Sequence, residues 1–193
     1  MTDQTQIILA SASPRRRELM EMLGVRDLKI IPARGEERPH PELTPDALVK
    51  ELSRCKAREV ADSHPGALVI GADTIVVLDG AVLGKPRDAA EARSMLARLS
   101  GRTHTVWTGV TVIRDGETRS HAERTEVRFR PLTSREIDAY VATGEPLDKA
   151  GAYGAQGLGS LFVEHLDGDF FNVMGLPLCA LGNLLKSMDV NLL

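Results

Sequence analysis

The chain has 193 residues, of which 42% are apolar, and this is enough to bury a sizeable core; a disordered or fibrous protein is therefore excluded. A net charge of −3 and a pI of about 6.0 differ from the strongly basic character of a duplex-binding protein. Four Phe, two Tyr and one Trp are too few to form a base-stacking platform for single strands. We therefore expect no nucleic acid polymer among its partners.

The N-terminal sequence and the cysteines indicate the cellular compartment. The segment MTDQTQIILAS has no basic region followed by a long apolar stretch, and no apolar run approaches the roughly 18 residues of a membrane-spanning helix. Cys55 and Cys179 form no CxxC or CxxH arrangement and are predicted to be buried, reduced thiols. The sequence thus predicts a soluble, cytoplasmic protein without a membrane partner.

The first part of the chain begins with a strand and a capped helix. Residues 6–10 form a short apolar run that predicts a buried strand. Ser13 is a suitable N-cap, Pro14 a suitable first helical residue, and Gly24 a suitable end for the next helix. Residues 28–32 predict a second strand.

A long helix and a hairpin follow. Thr44-Pro45 predicts the start of the helix. Residues 67–72 form another apolar run, which predicts a buried strand that ends at Asp73. The segment after it turns at Asp79-Gly80, a hairpin signal.

The second half of the chain continues this alternation. Capping-box patterns predict two helices, beginning near Asp88 and Thr133, and two long strands are expected within residues 103–130. A glycine-rich stretch, residues 151–159, leads into the predicted strand SLFVEHL, and a last helix begins near Leu176-Pro177. Strands alternating with helices, with added hairpins, predict an α/β domain with a mixed sheet.

The first strand–helix junction is a candidate anion site. A helix N-terminus presents free N–H groups and a positive dipole, while Ser11, Ser13, Arg15 and Arg16 add hydroxyl and guanidinium donors that suit phosphate. The alternative is an ordinary cap with solvated arginines. That alternative leaves three successive arginines in a first helical turn unexplained, since the dipole disfavours cations there.

Asp73, Lys56 and Lys85 are candidate polar residues of the same site. Asp73 follows a buried strand, where α/β sheets commonly place ligands, and could bind Mg²⁺ or orient a water; it could equally begin a turn. Lys56 lies within the apolar stripe of its helix, so it must either extend to solvent or meet an anion. Lys85 precedes a helix and reads, on spacing alone, as a loop lysine.

Two loops add weaker candidates. Glu36 and Glu37 lie in a polar, proline-bearing loop where surface charge is the ordinary explanation. The glycines of residues 151–159 would let the backbone approach a flat ligand, with Gln156 offering its amide to a base edge; a flexible loop is the alternative.

Several standard sites are absent from the sequence. There is no GxxxxGK[ST], HExxH or GxSxG pattern, and the five histidines show no ligand spacing. The remaining inventory of carboxylates, lysines and arginines suits metal-assisted attack by water on a phosphate.

Taken together, these motifs resemble the Maf family of nucleoside triphosphate pyrophosphatases, once described as septum-formation inhibitors. The resemblance rests on LASASPRR (9–16), LSRCKA (52–57), GADTIVVLDGAVLGKP (71–86), SGRTHTVWTGV (100–110) and the run from GEPLDKAGAYGAQG to NVMGLPL (144–178). It implies one domain over residues 1–193 with a fold like that of inosine triphosphate pyrophosphatases, two lobes around a cleft, Mg²⁺ or Mn²⁺ as cofactor, and a homodimer.

The resemblance also implies residue roles in cleaving a triphosphate between its α- and β-phosphates. Asp73 matches the proton acceptor and a metal ligand, and Glu36 matches an acidic metal or water ligand. The polar residues that match the triphosphate site are Ser11, Arg16, Lys56 and Lys85.

Three positions resemble the family branch that prefers dTTP and UTP. These are Arg15, Thr74 and Gln156, where the branch that prefers 7-methyl-GTP tends to have Trp, Gln and Glu. Gln156 could pair with the O4/N3 edge of uracil or thymine through its donor and acceptor. Ala155 departs from this branch, which often has a bulkier aliphatic residue there.

The implied function is housecleaning of pyrimidine nucleotides with a link to cell division arrest. A non-catalytic nucleotide-binding regulator of septum formation is the alternative from another class, and a purine-specific inosine triphosphate pyrophosphatase is the alternative within the enzyme class.

Overall fold

The computed structural model describes residues 6–25, 27–35 and 42–193. The chain divides into two compact units, each assembled from separate segments. Unit 1 comprises Met1–Asp73, Thr108–Glu123 and Gly175–Leu193, and unit 2 comprises Thr74–Trp107 and Arg124–Met174.

The described residues form seven strands and six α-helices. The strands are β1 (Ile7–Leu9), β2 (Lys29–Ile30), β3 (Leu68–Leu78), β4 (Ala81–Leu83), β5 (Thr103–Arg114), β6 (Glu117–Phe129) and β7 (Val163–Asp167). The helices are α1 (Pro14–Met22), α2 (Pro45–Ala61), α3 (Ala89–Leu99), α4 (Ser134–Ala142), α5 (Phe170–Met174) and α6 (Leu178–Lys186). Short 3₁₀ helices cover Glu145–Asp148, Ala150–Ala152 and Leu158–Phe162.

The strands form one mixed sheet. Their order is β2-β1-β3-β5-β6-β7, and β4 pairs with β3 off this path. β1 is parallel to both β2 and β3, whereas the β3–β4 and β6–β7 pairs are antiparallel. The predicted α/β fold with a mixed sheet and flanking helices is therefore confirmed.

Local signals located the helix starts well. Ser13 caps α1, and Thr133 and Glu136 form a reciprocal capping box at α4. Asp88 caps α3 by accepting from the N–H of Glu91 at 2.8 Å. These caps satisfy backbone donors that would otherwise lack intrahelical partners.

Each unit contains its own buried apolar cluster. In unit 1 the cluster joins β1, α2, β3 and β5 through Ile8, Ala10, Ala57, Val60, Ala67, Val69 and Ile113. In unit 2 the aromatic rings of His104, Phe129, Tyr140, Tyr153 and Phe162 pack edge to face within a larger cluster. Edge-to-face contacts of this kind add to the burial of apolar area.

Three expectations from the sequence were wrong. The expected strand at residues 67–72 and the segment after it form one continuous strand, Leu68–Leu78, so Asp73 lies inside β3 and not at its end. Cys55 and Cys179 are exposed, not buried. A 3₁₀ helix occupies Leu158–Phe162, where the start of the last strand was expected.

Within the described residues, no helix combines the length and apolarity needed to cross a membrane.

Candidate active site

Asp73 is the central carboxylate of unit 1. It follows Ile70, the last β3 residue paired with β1, and precedes Val76, where pairing with β4 begins. Asp73 therefore lies inside β3, three residues beyond the end of its parallel pairing with β1. Asp73 is only 7% exposed, and its Oδ1 accepts a hydrogen bond from Nζ of Lys56.

Two glycines bring Lys56 to this carboxylate. A Cβ added at Gly71 would lie 2.3 Å from the carbonyl oxygen of Ser53, and one added at Gly109 would lie 2.0 Å from that of Val49. Only glycine therefore permits α2 to approach β3 and β5 so closely. Within this contact the hydroxyls of Ser53 and Thr111 share a buried hydrogen bond of 2.8 Å.

The resulting ion pair is largely shielded from solvent. The side chains of Lys56 and Asp73 are 22% and 11% exposed. Removing charges from water is costly, so a buried pair is weak evidence for a stabilising role. Its location at the end of a parallel ladder is where α/β sheets commonly bind ligands, which favours a functional role.

Ser11 and Arg16 form the second polar group of unit 1. Ser11 follows β1, the strand beside β3, and is 8% exposed. Its Oγ accepts hydrogen bonds from Nη1 of Arg16 at 3.1 Å and from the backbone N–H of Ser13 at 3.3 Å. Nε of Arg16 donates to the carbonyl oxygen of Gly175 at 2.8 Å. The guanidinium is thus held beside the N-terminus of α1, a combination that suits a phosphate group.

The two arginines that flank Arg16 differ in exposure. Arg15 is half-buried, whereas Arg17 is exposed and pairs with Glu21 at 2.7 Å. The Arg17–Glu21 pair is a surface interaction between successive helical turns, worth little to stability. The guanidinium of Arg16 contacts Ser11 and the carbonyl oxygen of Gly175, contacts that suit a binding residue.

Unit 2 contains the other candidates. Thr74 is half-buried on β3, and Lys85 is exposed between β4 and α3. The carbonyl oxygen of Gly84 accepts from the N–H of Gly151 at 3.0 Å, which ties the Lys85 loop to the glycine-rich stretch. Gln156 is exposed within that stretch.

Glu36 and Glu37 lie outside the described residues. The chain leading to them is anchored by Glu59, which accepts from the N–H groups of Arg34 at 2.7 Å and Gly35 at 2.9 Å. These backbone hydrogen bonds lower the pKa of Glu59. Sequence reasoning missed Glu59 and also Gly175, because both act through contacts between residues distant in the chain.

A family model described as Maf-like protein matches residues 6–188 of the chain. The chain belongs to the Maf family. The resemblance seen in its motifs is thereby confirmed.

Relatives of this Maf family member are similar over nearly their whole length. The dTTP/UTP pyrophosphatase of Moorella thermoacetica is 55% identical over 190 residues, covering 97% of both chains. That of Bacillus cytotoxicus is 49% identical over 184 residues, covering 95% of this chain and 96% of its own. A solved nucleoside-triphosphatase, or dITP/XTP pyrophosphatase, from Mycobacterium abscessus aligns with 16% identity and a TM-score of 0.48 over 95% of this chain.

The donor set of this family member suits a hard divalent cation. Among the described residues, Asp73 is the sole buried carboxylate, and none of them forms a cluster of three or more His, Cys, Asp or Glu. Mg²⁺ typically takes one or two carboxylates, with waters and substrate phosphates as its other ligands. As a single buried carboxylate on the strand next to β1, Asp73 fits that pattern.

Proposed function

We propose that this protein hydrolyses dTTP and UTP to the nucleoside monophosphate and pyrophosphate. The observation that carries the proposal is the shielded Asp73–Lys56 pair at the end of the parallel ladder, next to the strand that leads into the Ser11–Arg16 group. The names of relatives that are 55% and 49% identical support the same activity.

The Ser11–Arg16 group binds phosphate in this proposal. The N-terminal N–H groups of α1, the hydroxyl of Ser11 and the fork of Arg16 donate to phosphate oxygens. Arg16 is oriented before substrate arrives, because the carbonyl of Gly175 holds its Nε. By resemblance, Lys85 is a further catalytic contact to the triphosphate.

Asp73 accepts the proton of the attacking water. The ammonium of Lys56 orients this carboxylate by donating a hydrogen bond to its Oδ1, and a carboxylate is the form that can act as a base. When a triphosphate binds, Lys56 can donate to a phosphate oxygen instead of to Asp73. Substrate binding would then free the carboxylate of Asp73 from its hydrogen bond with the lysine.

A divalent cation, Mg²⁺ or Mn²⁺, is proposed as the cofactor. Asp73 would hold it, with Glu36 as a second ligand by resemblance. When bound, the cation neutralises phosphate charge and favours ionisation of water.

Three residues are proposed to select the base. By resemblance, Arg15, Thr74 and Gln156 favour dTTP and UTP over 7-methyl-GTP, and the amide of Gln156 reads the O4/N3 edge.

The biological setting is proposed on the same basis. The resemblance supports one catalytic domain over residues 1–193, a cytoplasmic homodimer, and removal of surplus or modified pyrimidine nucleotides with a link to cell division arrest. Its partner is a small nucleotide and not a nucleic acid polymer or a membrane.

Product identification tests the activity. UTP or dTTP incubated with Mg²⁺ should yield the monophosphate and pyrophosphate in equal amounts, and chelation with EDTA should stop the reaction. Release of orthophosphate and a diphosphate would contradict the proposed bond cleavage. Absence of any turnover, with nucleotide binding retained, would favour the regulator of septum formation.

Asp73→Asn tests the proton acceptor. The variant should fold, because the amide keeps a hydrogen-bond acceptor for Lys56, while kcat falls by a factor on the order of 10² to 10⁴, the usual scale for a general base. Asp138→Asn is the matched control, since Asp138 makes only a surface pair with Arg93 among the ion pairs described. Equal kcat values for the Asp73 variant and wild type would remove Asp73 from this role.

A further inference from the structure

Glu145 organises the glycine-rich stretch that contains Gln156. Its Oε1 accepts from the hydroxyl of Tyr140 at 2.8 Å and from the N–H of Gly159 at 3.3 Å. Its Oε2 accepts from the N–H of Leu158 at 3.2 Å. The carboxylate of Glu145 therefore accepts hydrogen bonds from one side chain, that of Tyr140, and from two backbone N–H groups that follow Gln156 in the chain.

Tyr140 extends the same group to the other side of Gln156. The hydroxyl that donates to Glu145 also accepts from the N–H of Gly154 at 3.2 Å. Residues 154, 158 and 159 are thus all held by one carboxylate–phenol group, which we call the Glu145–Tyr140 clamp. Gln156 lies between its attachment points.

The glycines of this stretch fit against the clamp. At Gly157 the backbone has a φ of +85°, and an added Cβ would lie 3.0 Å from Oε2 of Glu145. At Gly159 an added Cβ would lie 2.7 Å from the hydroxyl of Tyr140 and 2.4 Å from the carbonyl oxygen of Gly154. Two of the glycines are accordingly explained by close approach to the clamp, and neither the flat-ligand nor the flexible-loop interpretation is needed for them.

Apolar packing contributes little on the outer side of the loop. Gln156, Gly157 and Ser160 are exposed, and Leu158 is 51% exposed. Tyr140, by contrast, is 4% exposed within the apolar cluster of unit 2. The loop conformation therefore depends on polar attachment to a rigid anchor.

The backbone of Glu145 is itself fixed. Nζ of Lys149 donates to its carbonyl oxygen at 2.5 Å and to the carboxylate of Asp148 at 2.7 Å. The lysine is 9% exposed, so it closes the turn in which Glu145 lies. The carboxylate is held at a defined position, as a positioning residue requires.

We propose that Glu145, with Tyr140, is a positioning residue for pyrimidine recognition: the clamp sets the direction in which Gln156 presents its amide. This proposal rests on the proposed function. Hydrogen-bond recognition of a base edge is sensitive to small displacements, so loosening the loop should weaken selectivity before it affects the chemical step.

The test compares UTP with CTP, which differ at the base edge assigned to Gln156. For Glu145→Ala we expect the ratio of kcat/KM for UTP to that for CTP to fall about tenfold, the scale of one hydrogen bond. The change should appear in KM for UTP, with kcat nearly unchanged. Glu145→Gln, which keeps one acceptor oxygen, should give a smaller loss, and Tyr140→Phe should lower the ratio as well.

A double variant distinguishes positioning from general damage. Glu145→Ala combined with Gln156→Ala should have the same UTP/CTP ratio as Gln156→Ala alone, because Glu145 acts through Gln156. Glu164→Gln is the matched control and should leave the ratio unchanged, since that exposed carboxylate pairs with Arg128 at the surface.

The outcomes separate this proposal from the proposed function. If Glu145→Gln and Tyr140→Phe hydrolyse UTP with the wild-type ratio, the clamp has no role in selectivity, although the activity stands. An equal loss of kcat on both nucleotides would indicate a purely structural role and overturn the proposal. If the wild-type protein hydrolyses neither UTP nor CTP, the proposed function is wrong, and the proposal on the clamp, which rests on it, is overturned with it.

Discussion

Arg16 and Arg17 are adjacent in the chain but have different surroundings. Arg16 contacts Ser11 and the carbonyl of Gly175, whereas Arg17 pairs with Glu21 at the surface. Arg16→Ala should lower kcat/KM for UTP by about 10- to 100-fold, mostly through KM, because a charged donor to phosphate is lost. Steady-state kinetics with varied UTP measures this effect.

Arg17→Ala provides the matched control. It removes the same charge from the same helical turn and should change KM by no more than about twofold, since exposed pairs contribute little. Similar losses in the two variants would show that general positive charge, and not the forked contact of Arg16, binds the phosphates. Arg16→Lys tests the fork itself, because lysine keeps the charge without the planar geometry.

His104 couples the stability of unit 2 to pH. It is 2% exposed, and its Nε2 shares a hydrogen bond of 2.7 Å with the hydroxyl of Tyr153. Burial lowers the pKa of His104 to about 4, from its ordinary value of 6.5. Between these two values the unfolded chain binds the proton and the folded chain does not, so protonation favours unfolding as the pH falls through this window.

The free energy of unfolding should accordingly fall by about 2 kcal/mol between pH 7.5 and pH 5. Urea unfolding at several pH values measures this. The double variant His104→Phe/Tyr153→Phe removes both hydrogen-bonding partners and should flatten the dependence in that window. Carboxyl groups such as Glu136, whose pKa the Arg130 guanidinium lowers to about 2, lose their contribution at lower pH. An unchanged slope in the double variant would contradict the assignment to His104.

The sequence identified some residues of the candidate site but not the contacts between them. The apolar spacing around Lys56 required either a solvated end or an anion, and the structure pairs it with Asp73, 17 residues away. Nothing local to Lys56 identifies that partner, because it depends on how α2 packs on β3. The contacts of Glu145 and Gly175 were missed for the same reason.

At the scale of the elements, Gly71 and Gly109 allow α2 to pack closely against β3 and β5. Gly109→Ala would place a methyl group 2.0 Å from the carbonyl oxygen of Val49. We expect a loss of about 3 kcal/mol or more in the free energy of unfolding, at or above the usual range for overpacking, because a backbone atom must move. Urea denaturation checks the value.

Gly182→Ala is the matched control for this substitution. Gly182 lies inside α6, and an added Cβ there meets nothing within 4 Å. The variant should gain up to about 1 kcal/mol, since alanine is the better helix former. A tolerated Gly109→Ala, with stability equal to wild type, would mean that α2 is not held by this contact.

Sequence patterns predicted elements where the determining contacts are local. The caps at Ser13, Asp88 and Thr133 identified three helix starts, because the capping residues bond within one helical turn. Strand limits were harder to predict, since a strand ends where its partners end. β3 was divided in two for this reason, although its pairing passes from β1 to β4 without a break in the chain.

At the scale of the whole molecule, each unit draws on segments far apart in sequence. Unit 1 combines the first segment of the chain with Thr108–Glu123 and Gly175–Leu193. Such a division cannot be predicted from composition, because neither a linker nor a change of composition marks it. Agreement of the family motifs along the whole chain, in contrast, was visible in the sequence and is supported by the match over residues 6–188.

The central claim concerns which triphosphate the molecule consumes. A competition assay with equimolar dTTP, UTP, CTP, GTP, ITP and 7-methyl-GTP, with Mg²⁺ present, gives the relative kcat/KM values directly from the order of depletion. We predict that dTTP and UTP are depleted first, each yielding its monophosphate and pyrophosphate. Faster depletion of ITP or 7-methyl-GTP, or no depletion of any nucleotide, would contradict this account.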